Sequence, residues 1–202
     1  MAARRRRLTP IVAVSGPSGS GKTRLLRRLI PVLSARGLRV ALLKHTSHAH
    51  PFDRRGKDTE VLRRAGAVAA AIQGPEGMAL FGPRLGGSRA LAALLPPCDL
   101  ILAEGWRGER LPRVEVHRRR VSRDFLCTTD RDVFAVVSDE APPCALPWLR
   151  PDEVERLAEL LLARLGRGAR AGRKAPAERK APAERKASAG REARGGRRAS
   201  AR

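Results

Sequence analysis

Eight consecutive residues, Gly16-Pro17-Ser18-Gly19-Ser20-Gly21-Lys22-Thr23, satisfy the pattern G-x-x-x-x-G-K-[ST]. Glycines in such a loop let successive backbone N–H groups turn inward around phosphate oxygens, and a helix opening there adds the positive end of its dipole. Lys22 is expected to reach the terminal phosphates as a point charge, and the Thr23 hydroxyl to ligate magnesium. That ion also needs a carboxylate, and open parallel sheets collect ligands at the carboxyl ends of their strands. The run Asp99-Leu100-Ile101-Leu102-Ala103-Glu104-Gly105 offers two. Asp99 starts its strand and reads as a surface residue, whereas Glu104 ends it and is the expected metal ligand, directly or through water. Asp53 and Asp58 are further metal candidates, although Asp58 also suits a helix cap. Outside the C-terminal segment the only lysines are Lys22, Lys44 and Lys57, so Lys44 and Lys57 join the phosphate-binding candidates.

The loop has meaning only between a strand and a helix, and the flanking sequence supplies both. Residues 11–15 form an apolar run, and Leu25, Leu26, Leu29, Ile30 and Leu33 then recur at helical spacing until Gly37. Pro31 falls inside that helix and is expected to kink it or end its regular turns. Strands are expected at 38–43, 68–72, 100–103, 114–117 and 133–138, with the first of these buried on both faces. Residues 78–81, between glycine- and proline-bearing turns, suggest a short strand or ribbon. Helices are expected at 58–64, capped by Asp58 or Thr59, at 90–95, and at 152–165, where Val154, Leu157, Leu161 and Leu165 make one apolar stripe. Alternating units of this kind predict an α/β fold, a largely parallel sheet flanked by helices with a short β-ribbon insertion.

Charge separates this body from its ends. The 202 residues carry 42 Lys+Arg against 20 Asp+Glu, a formal charge of +22. Four of the positive charges lie in the leader, residues 1–7, and thirteen lie in residues 166–202, so the nucleotide-binding domain, residues 8–165, is only mildly basic. The tail repeats Arg-Lys-Ala-Pro-Ala-Glu twice and then varies it, and a unit so small and polar cannot build a core, which predicts disorder. The longest stretch free of charged residues, 8–21, contains two prolines and the glycine loop, which excludes a transmembrane helix. Cys98, Cys127 and Cys144 show no C-x-x-C pairing, which argues against a disulfide framework and for a reducing, cytoplasmic setting.

The order of motifs along residues 11–139 resembles one family. SGPSGSGKT is followed by LKHTSH, FDRRGKDTEVLRRAGA, DLILAEGW and LPRVEVHR, as in the MobB-type molybdopterin-guanine dinucleotide biosynthesis adapter proteins. The phosphate loop alone is generic, while GKDT before RRAGA and the LPRVEVHR strand are specific. The resemblance implies a P-loop NTPase-like, GTP-binding protein using magnesium, usually a homodimer. Its implied partner is the molybdenum cofactor guanylyltransferase of MobA type, which joins a guanine nucleotide to molybdopterin. It also implies that residues 16–23 hold GTP phosphates, that Glu104 ends the second nucleotide strand, and that Lys44, His45, Asp53, Lys57 and Asp58 line the same mouth. Glu115 and His117 match a later strand without an assigned chemical role. Trp106-Arg107-Gly108 stands where the family often has an aromatic residue and a lysine.

Guanine preference rests on the resemblance, since no N-K-x-D element follows a strand here and only Ser138-Asp139 offers a base-reading acid. Gln73 is the sole glutamine and lies away from the expected attacking water, which predicts very slow hydrolysis by the chain alone. Three other functions compete. His45, His48 and His50 suit a nickel-handling maturation GTPase, but lack nearby cysteine ligands. A P-loop small-molecule kinase would use Asp53 or Asp58 as base, without an evident acceptor pocket. A nucleic-acid module would explain the pI near 11.7, but the mildly basic body carries no recognised motif for it, and nucleic acid is not an expected partner.

Overall fold

The computed structural model describes residues 8–46 and 56–166. The basic leader, the tail beyond residue 166, His48, His50 and Asp53 lie outside the described residues. Six strands form one parallel sheet in the order β2-β5-β1-β6-β7-β8. They are β1 (Ile11–Ser15), β2 (Val40–Lys44), β5 (Leu100–Glu104), β6 (Arg113–His117), β7 (Val133–Ser138) and β8 (Trp148–Leu149). A separate antiparallel ribbon pairs β3 (Ala70–Gly74) with β4 (Gly77–Phe81). The helices are α1 (Lys22–Ala35), α2 (Asp58–Arg64), α3 (Gly87–Ala92) and α4 (Val154–Arg164), with a 3-10 turn at Leu126–Thr128. Among the described residues no helix is long and apolar enough to cross a membrane.

Alternation along the central strands makes two cores. Val12, Val14, Leu100, Leu102, Val114, Val116 and Val137 face α1 and α4, which contribute Leu26, Leu29, Leu33, Leu157 and Leu161. Ile11, Ala13, Ile101 and Ala103 face the other way and pack with Leu43 and Leu111. The central β1 and β5 are therefore apolar on both faces, as parallel strands covered by helices must be.

Several elements depart from the sequence reading. α1 runs through Pro31 without a break. The proline is exposed, its ring directed away from the sheet, and burial of Leu29 and Leu33 on the opposite face offsets the lost hydrogen bond. The helix ends in a Schellman arrangement, with Leu38 N–H bonding Leu33 O and Gly37 N–H bonding Ser34 O. β2 is an edge strand, not one buried on both faces: Leu43 is buried while Leu42 is 44 % exposed. α2 begins at Asp58, so the N-cap position falls to an extended Lys57, which makes no side-chain cap hydrogen bond, rather than to Asp58 or Thr59. The 68–72 run, expected as a strand, starts at Ala70 and takes Gln73 into the ribbon. The short helix expected at 90–95 lies earlier, at Gly87–Ala92.

The cysteine reading also changes, because Cys127 and Cys144 form a disulfide and only Cys98 is free. Seventeen residues separate the pair in sequence, but the 3-10 turn and the β7–β8 connection bring their Cα atoms to 6.5 Å. Such apposition arises from the fold and has no signature in linear spacing.

Candidate nucleotide site

β1 ends at Ser15 and the chain turns through the glycine loop into α1 beneath it. Gly16 adopts φ +151°, and a Cβ there would meet the Val116 carbonyl oxygen at 2.1 Å, so the turn out of the sheet admits only glycine. No side chain caps α1. Its first N–H groups are left for an external acceptor, which is the arrangement that captures anions. Ser20 is fully buried and its hydroxyl has no hydrogen-bond partner, a second polar group held inside the loop.

Lys22 folds back over the loop and donates to Gly16 O at 3.1 Å and Pro17 O at 2.8 Å. Burial pushes its pKa below the ordinary lysine value, and the neighbouring Arg107 and Lys44 act in the same direction against the pull of Glu104. The loop thus concentrates positive charge that lacks a full counter-charge, the electrostatics of a phosphate receptor. Thr23 Oγ1 lies 3.3 Å from Glu104 Oε1, with Glu104 only 8 % exposed at the end of β5. A hydroxyl and a carboxylate are hard oxygen donors, so this pair fits magnesium.

Lys44 ends β2 opposite Glu104 in the parallel register, and His45 N–H bonds the Glu104 carbonyl at 2.9 Å. The neighbouring Gly105 turns at φ +87°, where a Cβ would meet His45 O at 2.4 Å. Trp106 then packs on the core beneath β1 and β5, with its ring 5.1 Å from that of His45. Lys57 and Asp58 are not brought to the loop: both are exposed at the start of α2, and neither makes a hydrogen bond or ion pair with the loop among the described residues.

Two arginines outside the predicted set flank the loop. Arg107 Nη2 donates to Gly16 O at 2.5 Å from the β5 side. From the β6 side, Arg118 Nε donates to Ser20 O at 3.0 Å, with its guanidinium lying over Gly21. Arg118 directly follows β6 and Arg107 comes three residues after β5, the two strands flanking β1, which was the available signal. A cavity of about 140 Å³ continues from Ser20 and Gly21 between Arg24, Arg118, Val137 and Asp152.

β6 resolves the residues that had no assigned role. Arg113, Glu115 and His117 alternate with Val114 and Val116, yet all five are buried. Glu115 accepts the N–H groups of Leu126 at 2.7 Å and Cys127 at 2.8 Å, fixing the 3-10 turn over this face. His117 stacks on Phe125 with ring centroids 3.7 Å apart and places Nε2 3.1 Å from Glu140 Oε1. Arg113 pairs with Asp130 at 3.1 Å and donates to Ser15 Oγ, so it braces the strand that carries the loop.

The comparisons with known proteins bear on this arrangement. The model of the family described as MobB, molybdopterin guanine dinucleotide synthesis protein B, matches residues 11–139. This chain belongs to the MobB family. It is 34 % identical over 165 residues to the molybdopterin-guanine dinucleotide biosynthesis adapter protein of Escherichia coli K12, covering 77 % of this chain and 93 % of that one. A crystal structure of molybdopterin-guanine biosynthesis protein B, a MobB protein at 30 % identity, superposes with a TM-score of 0.57 over 77 % of this chain and 99 % of the other. The fold is thus that of P-loop NTPase-like MobB proteins. A local match of 42 % over 57 residues to urease accessory protein UreG 2 of Methylobacterium radiotolerans covers only 24 % of that protein.

Proposed function

We propose that this MobB-family chain binds magnesium-GTP on the loop of residues 16–23 and serves as an adapter for the MobA-type guanylyltransferase that builds the molybdopterin-guanine dinucleotide. The observation that carries the reading is the pairing of a glycine loop and Lys22 with a Thr23–Glu104 oxygen pair at one sheet edge. In this reading the loop amides and Lys22 hold the phosphates, Thr23 and Glu104 hold the metal, and Lys44 adds charge at the mouth. The cavity beside Arg118 flanks the loop at Ser20 and Gly21, and we assign the nucleoside to that side. Magnesium held by Thr23 and Glu104 would supply positive charge that neutralises phosphate oxygens. Among the described residues, Lys57 and Asp58 make no hydrogen bond or ion pair with the loop. Hydrolysis by the chain alone is slow, since Gln73 is paired with Met78 in the separate ribbon and cannot orient water at the loop.

A cytoplasmic address belongs to the same reading, because nucleoside triphosphate is available there; the Cys127–Cys144 bond removes the argument from cysteine usage. The local match to an urease accessory protein is too short to favour nickel handling over the adapter role. Calorimetric titration of the full chain with GTP and ATP, with and without magnesium, tests the proposal. GTP is expected to bind more tightly, and magnesium to tighten it. Glu104→Gln should weaken the magnesium-dependent part by about tenfold, the worth of one charge-assisted contact. Equal affinity for both nucleotides, or no effect of magnesium, contradicts it.

A homodimer completes the proposal. α2 has no buried residue, and Val61, Leu62, Ile72, Met78 and Leu80 on α2 and the ribbon are each at least half exposed. Met78 and Leu80 share one face of the ribbon and Ile72 lies on the other; exposed apolar side chains gathered on α2 and the ribbon suit a protein partner, and a second copy is the occupant we assign to them. Sedimentation should return twice the 22.0 kDa chain mass. Met78→Asp should return a single chain, and a monomeric parent protein would refute the assignment.

A further inference from the structure

Two guanidinium groups approach the phosphate loop from opposite sides of β1, and they differ in what surrounds them. Arg118 comes from β6, lies against Ser20 and Gly21, and borders the cavity. Arg107 comes from β5, three residues after Glu104, and donates to Gly16 O, an acceptor it shares with Lys22 Nζ. Arg107 therefore stands on the side of the loop where Thr23 and Glu104 can hold a metal, away from the cavity. Thr23 and Glu104 would hold magnesium on this side, where it would supply positive charge to the terminal phosphates of a nucleoside triphosphate, so we read that side as the terminal one.

The contact that Arg107 makes is one it can exchange. Its side chain is exposed and forms no ion pair among the described residues. A carbonyl oxygen is a weaker acceptor than a phosphate oxygen, and a guanidinium matches the geometry of phosphate with two parallel N–H groups. The backbone from which it projects is fixed by Gly105 against His45 O and by Trp106 in the core, so the group is aimed rather than free to wander.

We infer that Arg107 is the residue that distinguishes a nucleoside triphosphate from a diphosphate at this site, by leaving the Gly16 carbonyl for the terminal phosphate when that phosphate is present. The inference rests on the nucleotide reading of the loop and adds a state-reading role within it. Lys22 and the loop amides hold phosphates common to both nucleotides, whereas Arg107 meets only the third. An arginine at this place supplies a two-pronged fork where a lysine would supply a point charge.

The test is the ratio of GTP to GDP affinity, measured by calorimetry with magnesium on the full chain, Arg107→Ala and Arg107→Lys. The unsubstituted chain should prefer GTP. Arg107→Ala should lose about tenfold or more in GTP affinity, as expected for a charge-assisted contact, with GDP affinity changed less than about twofold. Arg107→Lys should recover part of the GTP preference. A parallel loss for both nucleotides, or an unchanged ratio, overturns the state-reading role while leaving the nucleotide reading intact. Failure of the unsubstituted chain to bind either nucleotide overturns both.

Discussion

Replacing Lys22 by alanine should lower the affinity for magnesium-GTP by about a hundredfold or more, with no loss of folded stability. The first part follows from the strength of contacts between an ammonium and phosphate oxygens, about 1.5–3 kcal/mol each where one or both partners are charged. Two such contacts amount to about 3 kcal/mol, which is roughly a hundredfold in a dissociation constant. The second part follows from the free protein. There the Lys22 ammonium is met by the carbonyls of Gly16 and Pro17, partly buried and crowded by Arg107 and Lys44. Its charge is disfavoured by burial, so removing it relieves desolvation rather than breaking a stabilising pair. Thermal melting of Lys22→Ala beside the calorimetric titration checks both halves. Undiminished GTP binding by a folded variant would remove the phosphate-holding role from this loop.

The second large effect is structural. Glu115 is fully buried, and its two carboxylate oxygens accept the Leu126 and Cys127 N–H groups. Glu115→Ala would leave two buried donors unmatched and open space beneath Phe125. At about 1–3 kcal/mol for each unsatisfied group, the expected loss is about 2–6 kcal/mol. For a chain of this length that lowers the melting temperature by about 10 °C. Glu115→Gln keeps one strong acceptor and should fall between. Melts of both variants under oxidising and reducing conditions separate the carboxylate's contribution from that of the Cys127–Cys144 bond, which tethers the same turn. A shift below about 2 °C for Glu115→Ala would show that water satisfies the turn without the carboxylate.

The legible parts of the molecule were those whose signal is local. β1, the loop and α1 follow from an apolar run, a glycine motif and leucines at helical spacing. Glu104 followed from its place at the carboxyl end of a strand, and the structure brings it to Thr23. The parts that sequence did not reveal depend on what lies opposite a residue. β2 has the same apolar composition as β5, and only the sheet order makes one an edge and the other central. The alternation of Arg113, Glu115 and His117 with valines is the pattern of a half-exposed strand. Here the polar face is buried because other segments cover it: the 3-10 turn meets Glu115, Asp130 pairs with Arg113, and Glu140 meets His117. β8 is two residues long, too short for any periodicity. Arg107 and Arg118 are two among many arginines in this chain, and only the strand ends from which they project set them apart.

The close approach of Gly16 to the Val116 carbonyl has a further consequence. β6 acts as a wedge against the point where the chain leaves β1, so the loop's main chain has little freedom to reshape around an arriving ligand. On the reading proposed above, capture proceeds by swinging side chains: Lys22 and Arg107 would give up the Gly16 oxygen they share for the incoming anion, while the peptide ring beneath them stays as it was.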